Sequence, residues 1–217
     1  ILNAISSGFK PSIVQGLNNR IDNIVLNQDH ENGPVIELSD IQDPRSILDI
    51  MRTTKSESEI EIMQHAASIA SSAHVLAMEK TFPSMGEWQI QAIIEGHFID
   101  SESQWSYPSI VGGGENATIL HYSSNSETIV DGDLVPVDAG CEVHGYASDI
   151  TRTWPVSGTF TEPQKEIYNL VLEAEIAGIE ACIAGSPWKS MHEASSAVLA
   201  RGLVELGILD CSASEAL

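Results

Sequence analysis

Basic residues are scarce in this sequence, which has 10 Lys and Arg against 31 Asp and Glu among 217 residues, a formal net charge of -21. Such an acidic surface repels nucleic-acid phosphates and anionic lipids, so we expect neither nucleic acid nor a membrane as a partner. No apolar run reaches the roughly 18 residues that a membrane-spanning helix needs. The first residues, "ILNAISSGFKP", lack an initiator Met and the positive charge of a signal peptide, so we expect them to come from the interior of a longer protein.

Cysteine is also rare, and its three positions are far apart: Cys141, Cys182 and Cys211. An odd number at wide spacing excludes a disulfide framework, and no Cys-x-x-Cys or Cys/His cluster predicts a structural zinc site. This usage is typical of a reducing compartment, so we expect a cytoplasmic protein.

Helix signals occur in two stretches after residue 56, one before and one after a central segment, whereas residues 1–50 are rich in turn residues. Apolar residues recur after Ser56 at spacings of three and four, which predicts an amphipathic helix. The predicted helices run from the Ser56–Glu59 capping box to Lys80, from a Ser84–Glu87 capping box to Phe98, from Thr161 with Gln164 to near Gly185, and from Ser190 to Gly207.

Between these helices, residues 107–156 resemble strands. "YPSIV" and "TILHY" are strand candidates on either side of Gly112–Gly114, and "DLVPVDAGC" with "GYASDITRTWPV" predicts a hairpin. Pro136 cannot donate to a ladder, so its strand is expected to be an edge strand or to contain a bulge. The order of elements predicts an α+β fold, with helices packed on a curved antiparallel sheet.

The hairpin places two acids on one face. With a two-residue turn at Val143-His144, Asp138 and Asp149 are directly opposite, and a three-residue turn that includes Gly145 shifts them only slightly. At about 5 Å and an effective dielectric near 20 they repel by roughly 3 kcal/mol. Protonation of one acid, pairing with Arg152 or a bound cation would relieve this repulsion, and Arg152 alternates to the other face. The geometry therefore favours a site for a cation such as Mn²⁺, Co²⁺ or Zn²⁺.

His121 lies beside the glycine-rich loop "GGGEN" and could be either a structural donor or a functional residue. The loop lacks the Lys of a P-loop and the strand–helix frame of a dinucleotide site, so it does not predict phosphate binding.

Three segments, "RTTKSESEI", "YPSIVGGGENATILHY" and "DGDLVPVDAGCEVHGYASDITRTWPVSGTFTEPQKEIY", closely resemble Xaa-Pro aminopeptidase (aminopeptidase P), in the family of creatinase, prolidase and methionine aminopeptidase. The resemblance implies the pita-bread fold. Residues 1–50 would be the tail of the N-terminal creatinase-like domain with its linker, and residues 51–217 the N-terminal half of the catalytic domain.

For the site, the resemblance implies two divalent metal ions, most often Mn²⁺ and alternatively Co²⁺ or Zn²⁺. Asp138 matches a ligand of one metal and Asp149 the ligand shared by both. His121 matches the histidine that stabilises the reacting carbonyl, Tyr107 is expected to shape the substrate cleft, and Thr151 to support the metal ligands. The implied substrates are peptides with Pro in the second position, from which metal-activated hydroxide releases the first amino acid.

The sequence departs from the family pattern because nothing in it matches the family's His ligand and two Glu ligands. We therefore expect this chain by itself to be inactive and, with unpaired strands exposed, to form a homo-oligomer. Two other functions stay open: an Xaa-Pro dipeptidase (prolidase), and a non-catalytic module that binds peptides or proteins.

Overall fold

The computed structural model describes residues 45–217, which belong to two compact units that divide after Gln64. In the first unit, α1 (Arg45–Thr53) precedes the opening turns of α2 (Glu57–Lys80). The predicted capping box is confirmed: the Ser56 amide donates to Glu59 Oε2 at 2.6 Å, and the Glu59 amide donates to Ser56 Oγ at 3.4 Å. The features predicted for residues 1–44 lie outside the described residues, and the domain boundary at residue 50 stays a prediction.

The second unit, residues 65–217, contains the rest of α2 and all the strands found among residues 45–217. Its further elements are α3 (Glu87–Asp100), β1 (Gln104–Trp105), β2 (Ile110–Val111), a 3₁₀ helix (Gly114–Thr118), β3 (Leu134–Ala139), β4 (Cys141–Val143), β5 (Tyr146–Ala147), β6 (Ile150–Pro155), α4 (Glu162–Glu180) and α5 (Ser190–Glu205). Among residues 45–217, no helix is both long and apolar enough to span a lipid bilayer.

The strands form two three-stranded antiparallel sheets, in the orders β1-β4-β5 and β2-β3-β6. Gly140 lies where β3 ends and β4 begins, and a Cβ there would lie 1.8 Å from the Ser148 carbonyl oxygen. Only glycine permits this close approach of the two backbones. The long hairpin is therefore divided at Gly140: β3 and β6 belong to one sheet, and β4 and β5 belong to the other.

The turn of this hairpin lies one residue later than predicted. His144 and Gly145 have φ angles of 51° and 85°, the left-handed pair that a type I′ turn requires, and Val143 pairs with Tyr146. Asp138 consequently pairs with Thr151. The prediction that Asp138 directly opposes Asp149 was wrong, because the shift moves Asp149 to the diagonal position while keeping it on the same face.

Pro136 lies in the middle strand of its sheet, and β3 pairs with β6 in unbroken register, so the prediction of an edge strand or a bulge was wrong. Its carbonyl accepts a hydrogen bond from the Gly112 amide at 3.2 Å, just past the end of β2 at Val111. In an antiparallel strand the N–H and the C=O of one residue point to the same neighbouring strand. The N–H that Pro136 lacks would therefore point past the end of β2, where the strand has already ended.

Other boundaries also differ from prediction. "TILHY" is not a strand, since the 3₁₀ helix and an irregular segment occupy that stretch. The start of α3 is capped at Gly86, whose amide donates to Gln89 Oε1 at 2.8 Å, so the Ser84–Glu87 capping box was wrong. The start of α4 at Thr161 with Gln164 is as predicted, but α4 ends at Glu180 and α5 at Glu205.

The core lies between α2, α3 and the inner face of the β2-β3-β6 sheet. Small residues of α2, such as Ala66, Ala70 and Ala73, allow close packing, while Ile94 and Phe98 of α3 are fully buried. Each such large side chain contributes about 1.5–3 kcal/mol relative to an exposed one. Alternation along β3 buries Val135, Val137 and Ala139 and directs Asp138 to the opposite face.

Candidate metal and substrate site

Four of the predicted site residues line one open cavity of about 340 Å³: Tyr107, His121, Asp138 and Asp149. Pro108, Ile110 and Ser123 complete its wall. The cavity lies on the outer face of β3, bordered by the segments that precede β2 and follow the 3₁₀ helix. The fold thus brings together residues that are up to 42 positions apart in the chain.

A tyrosine hydroxyl joins the two acids. Tyr107 Oη donates to Asp138 Oδ1 at 2.6 Å and to Asp149 Oδ1 at 2.9 Å. One O–H proton is shared between two acceptors, so the carboxylates converge on a single point. Sequence reasoning assigned Tyr107 to the substrate cleft and missed this contact, because no spacing in the sequence indicates it.

The surroundings of Tyr107 favour its neutral form. Burial raises its pKa above the usual value, and the hydrogen bonds to Asp138 and then Asp149, together with their negative charges, raise the pKa further. Tyr107 therefore remains a hydrogen-bond donor to the acids throughout the physiological range.

Among the ion pairs of the described residues, none joins a basic side chain to Asp138 or Asp149. Arg152 instead contacts Glu175, with 3.5 Å between Nη1 and Oε1, and its Nη1 also donates to the Thr151 carbonyl. Thr151 lies across the strand pair from Asp138 and lines a neighbouring cavity of about 620 Å³ together with Asp149. Support of the metal ligands by Thr151 stays a prediction.

His121 lies at the rim of the cavity, on the irregular segment after the 3₁₀ helix. Its side chain is exposed and its φ of 55° is in the left-handed region, which few non-glycine residues adopt. Its neighbour Tyr122 is hydrogen-bonded to Glu87, a buried residue that sequence reasoning had interpreted only as part of a helix cap.

The donor set fits a divalent cation in part. Two converging carboxylates provide the hard oxygen ligands that Mn²⁺ accepts, and the Tyr107 hydroxyl marks the point between them. Within residues 45–217, no group of three or more His, Cys, Asp or Glu side chains could hold a metal ion. The described residues thus bring together two carboxylates, which could hold a metal ion only with further donors.

Comparison with known proteins agrees with this geometry. Residues 61–211 match the model of metallopeptidase family M24. The chain is 45% identical over 175 residues to Xaa-Pro aminopeptidase of Haemophilus influenzae. The matched segment covers 80% of this chain and 41% of that protein.

Solved structures give the same result. The structure of Pseudomonas aeruginosa aminopeptidase PepP matches with a TM-score of 0.82 and 38% identity, over 93% of this chain and 47% of that one. A zinc-substituted aminopeptidase P of Escherichia coli, in complex with product, matches with a TM-score of 0.83 and 37% identity, over 94% and 48% of the two chains. The chain thus spans less than half the length of these relatives.

These neighbours confirm the predicted fold class: helices packed on antiparallel sheet in the pita-bread fold, with this chain covering the N-terminal part of the catalytic domain. The resemblance deduced from the sequence motifs is confirmed as well. On this evidence the chain belongs to metallopeptidase family M24, a family of metal-dependent peptidases.

Proposed function

We propose that the whole protein hydrolyses the Xaa-Pro bond and releases the N-terminal amino acid of a peptide. The observation that carries this proposal is the convergence of Asp138 and Asp149 on Tyr107 Oη in a cavity that His121 also lines. The similarity to Xaa-Pro aminopeptidases supports the substrate class.

Asp138 and Asp149 are the residues of this chain that would hold metal. We propose two divalent ions, with Mn²⁺ first and Co²⁺ or Zn²⁺ as alternatives; carboxylate ligands suit all three. When bound, such ions supply a nucleophile by lowering the pKa of water, and they offset negative charge on a reacting carbonyl. The remaining ligands, a His and two Glu according to the family pattern, would come from outside this sequence.

The other residues act on the substrate and on the acids. His121, at the rim, would donate a hydrogen bond to the carbonyl oxygen of the scissile bond, where negative charge develops. Tyr107 orients both carboxylates through its hydroxyl and forms part of the cleft wall. A prolyl residue has no N–H to donate, which is consistent with the apolar side of the wall at Pro108 and Ile110.

A hydrolysis assay with a matched control tests this proposal. The 217-residue chain and a longer form that contains the remaining ligands are each supplied with Mn²⁺ and an Xaa-Pro-Xaa tripeptide. We expect release of the first amino acid by the longer form and little or none by the chain alone. Asp138→Asn and Asp149→Asn should each reduce the rate of the longer form at least a hundredfold, whereas Asp100→Asn, an exposed site at the end of α3, should not.

The same assay separates the aminopeptidase from a prolidase. An aminopeptidase cleaves the tripeptide, whereas faster cleavage of the corresponding Xaa-Pro dipeptide would indicate the dipeptidase. Equal rates for wild type and the Asp138→Asn variant would contradict a catalytic role of this pair.

A non-catalytic peptide-binding module is the second candidate. The observation in its favour is that residues 45–217 bring together no three metal-binding side chains. Peptide binding that persists in the presence of a chelator, without hydrolysis by the longer form, would support this reading.

We also propose a cytoplasmic location and self-association, from the cysteines and from the exposed apolar side chains. Cys141 is buried, Cys182 and Cys211 are exposed, and all three are free thiols, which is typical of a reducing cytoplasm. The apolar side chains exposed on α4 support self-association, as argued below.

A further inference from the structure

A buried carboxylate that does not line the cavity holds the loop that carries His121. Glu87, the first residue of α3, has 0% exposure. Its Oε1 accepts from the Gly113 amide at 2.8 Å and from Asn116 Nδ2 at 3.0 Å. Its Oε2 accepts from Tyr122 Oη at 2.8 Å and from the Glu127 amide at 3.0 Å. One side chain thus fixes the loop at its beginning, middle and end.

These four bonds satisfy the carboxylate without any basic residue. A buried charge without partners would be strongly unfavourable, and four donors are what compensates its loss of hydration. The network is closed, because Asn116 Nδ2 also donates to Tyr122 Oη at 3.1 Å. Because all four donors bond to the same buried side chain, any other loop conformation would break several of these hydrogen bonds at once.

The residues on either side of Tyr122 face the cavity. His121 and Ser123 line it, while Tyr122 lies between them with its hydroxyl on Glu87. His121 also has the left-handed φ of 55°, a conformation that the surrounding structure must maintain. The nearest side-chain anchor for this conformation is the adjacent Tyr122.

A second anchor holds the same loop beyond Ser123. Buried Asn125 accepts from the Val111 amide at 2.9 Å, and it donates to the Ser109 carbonyl at 2.7 Å and to Gln91 Oε1 at 2.9 Å. Ser109 and Val111 flank Ile110, another residue of the cavity wall. The loop is therefore fixed to α3 on both sides of His121, and to β2 through Asn125.

We propose that Glu87 is a positioning residue of the site: through the Tyr122 hydroxyl it holds His121 at the rim of the cavity that Asp138 and Asp149 also line. This deepens the proposed function, since it rests on His121 contacting the substrate. Glu87 and Tyr122 act without touching substrate, and the effect of removing them is transmitted by the position of His121.

The first test needs no activity. Imidazole resonances of the ¹⁵N,¹³C-labelled chain are recorded for wild type, Tyr122→Phe and Glu87→Gln. We expect His121 to shift and broaden in Tyr122→Phe and more so in Glu87→Gln, because one amide nitrogen of Gln then faces two donors. The signal of His192, on α5, should not move. Ser103→Ala is the control: it removes a hydroxyl that donates to the Phe98 carbonyl at 2.8 Å, away from the loop.

Unchanged His121 resonances in a folded Tyr122→Phe chain would overturn the proposal. This variant keeps the aromatic ring and all other bonds of Glu87, so it remains informative even if Glu87→Gln fails to fold.

The second test is a double-mutant cycle on the kcat of the active, longer form. Tyr122→Phe should reduce kcat on the order of a hundredfold with little change in KM, since a misplaced group acts mainly in the transition state. In a His121→Ala background the same substitution should change kcat less than threefold, because its effect passes through His121. A loss of the same size in both backgrounds would refute positioning through His121. Absence of activity in the wild type would count against the proposed function, whereas the resonances would still decide the role of Glu87.

Discussion

Tyr107 determines how two like charges coexist on one sheet face. Its hydroxyl lies 2.6 Å from Asp138 Oδ1 and 2.9 Å from Asp149 Oδ1, so the shared proton offsets part of their repulsion. A hydrogen bond to a charged acceptor contributes about 1.5–3 kcal/mol when buried, and less here because Asp149 is exposed. The tyrosine hydroxyl thus does, by hydrogen bonds, part of what sequence reasoning considered for Arg152.

Ionisation of Tyr107 should therefore be displaced to high pH. Its pKa is raised by burial and by the two aspartates, relative to the ordinary value of 10.0 in the unfolded chain. Because the folded-state pKa is the higher one, its contribution to stability is complete below pH 10 and is lost as the pH rises beyond that. We therefore expect the phenolate absorbance of Tyr107 to be absent from the step near pH 10 and to develop only at higher pH.

Comparison of variants identifies which tyrosine is missing from that step. Tyr107→Phe should leave the step unchanged in amplitude relative to wild type, and the two proteins should differ only at higher pH. If Tyr107→Phe reduces the step instead, the hydroxyl is not held by the acids.

At the level of elements, the division of the hairpin at Gly140 sets the spacing of the two acids. Gly140 follows Asp138 by two residues and touches the Ser148 carbonyl, next to Asp149. A side chain at this point forces the two backbones apart, and with them the carboxylates.

Gly140→Ala should therefore destabilise the chain by about 3 kcal/mol or more, because the contact is with backbone that cannot move aside locally. Gly96→Ala is the matched control: it lies inside α3 with nothing within 4 Å of the added Cβ, so it should stabilise by about 0.5–1 kcal/mol. Urea denaturation measures both. Equal small effects would show that the close approach at Gly140 is not required.

Local signals in the sequence predicted the helices better than they predicted the hairpin. The capping residues at Ser56 and Thr161 act within four residues, so their outcome is settled locally. The register was wrong by two residues because the two-residue turn was placed at Val143-His144, whereas His144 and Gly145 form it and Val143 pairs with Tyr146.

Residues of the site that belong to sequence motifs could be predicted, whereas the long-range contacts between them could not. Asp138 and Asp149 were singled out from the hairpin, and the roles of His121 and Tyr107 from the family resemblance. The bonds of Tyr107 and the network of Glu87 instead join residues 26 to 42 positions apart, which no local pattern indicates. Ser84 with Glu87 matched a capping pattern, but tertiary contacts give Glu87 a different set of partners.

At the scale of the whole molecule, an apolar surface coexists with a large negative charge. Val171, Ile179 and Ile183, on or just after α4, are 53%, 66% and 66% exposed, while the net charge is -21. Apolar surface favours association and like charge opposes it, so ionic strength should decide the balance.

Sedimentation velocity should accordingly show association that increases with salt, since screening weakens the repulsion. Ile179→Lys should reduce it, whereas Ile99→Lys, the same change at a 72% exposed position on α3, should not. A monomer at every salt concentration would contradict the expected homo-oligomer.

Binding of Mn²⁺ to the 217-residue chain, followed by electron paramagnetic resonance of the free ion, tests the metal site most directly. A chain this acidic binds cations non-specifically, so the comparison must be between variants of equal charge. We expect wild type and Asp100→Asn to bind weakly but alike, and Asp138→Asn and Asp149→Asn each to lose the tightest of the bound ions. If all three variants bind Mn²⁺ alike, the carboxylates that meet at Tyr107 do not form a metal site in this chain.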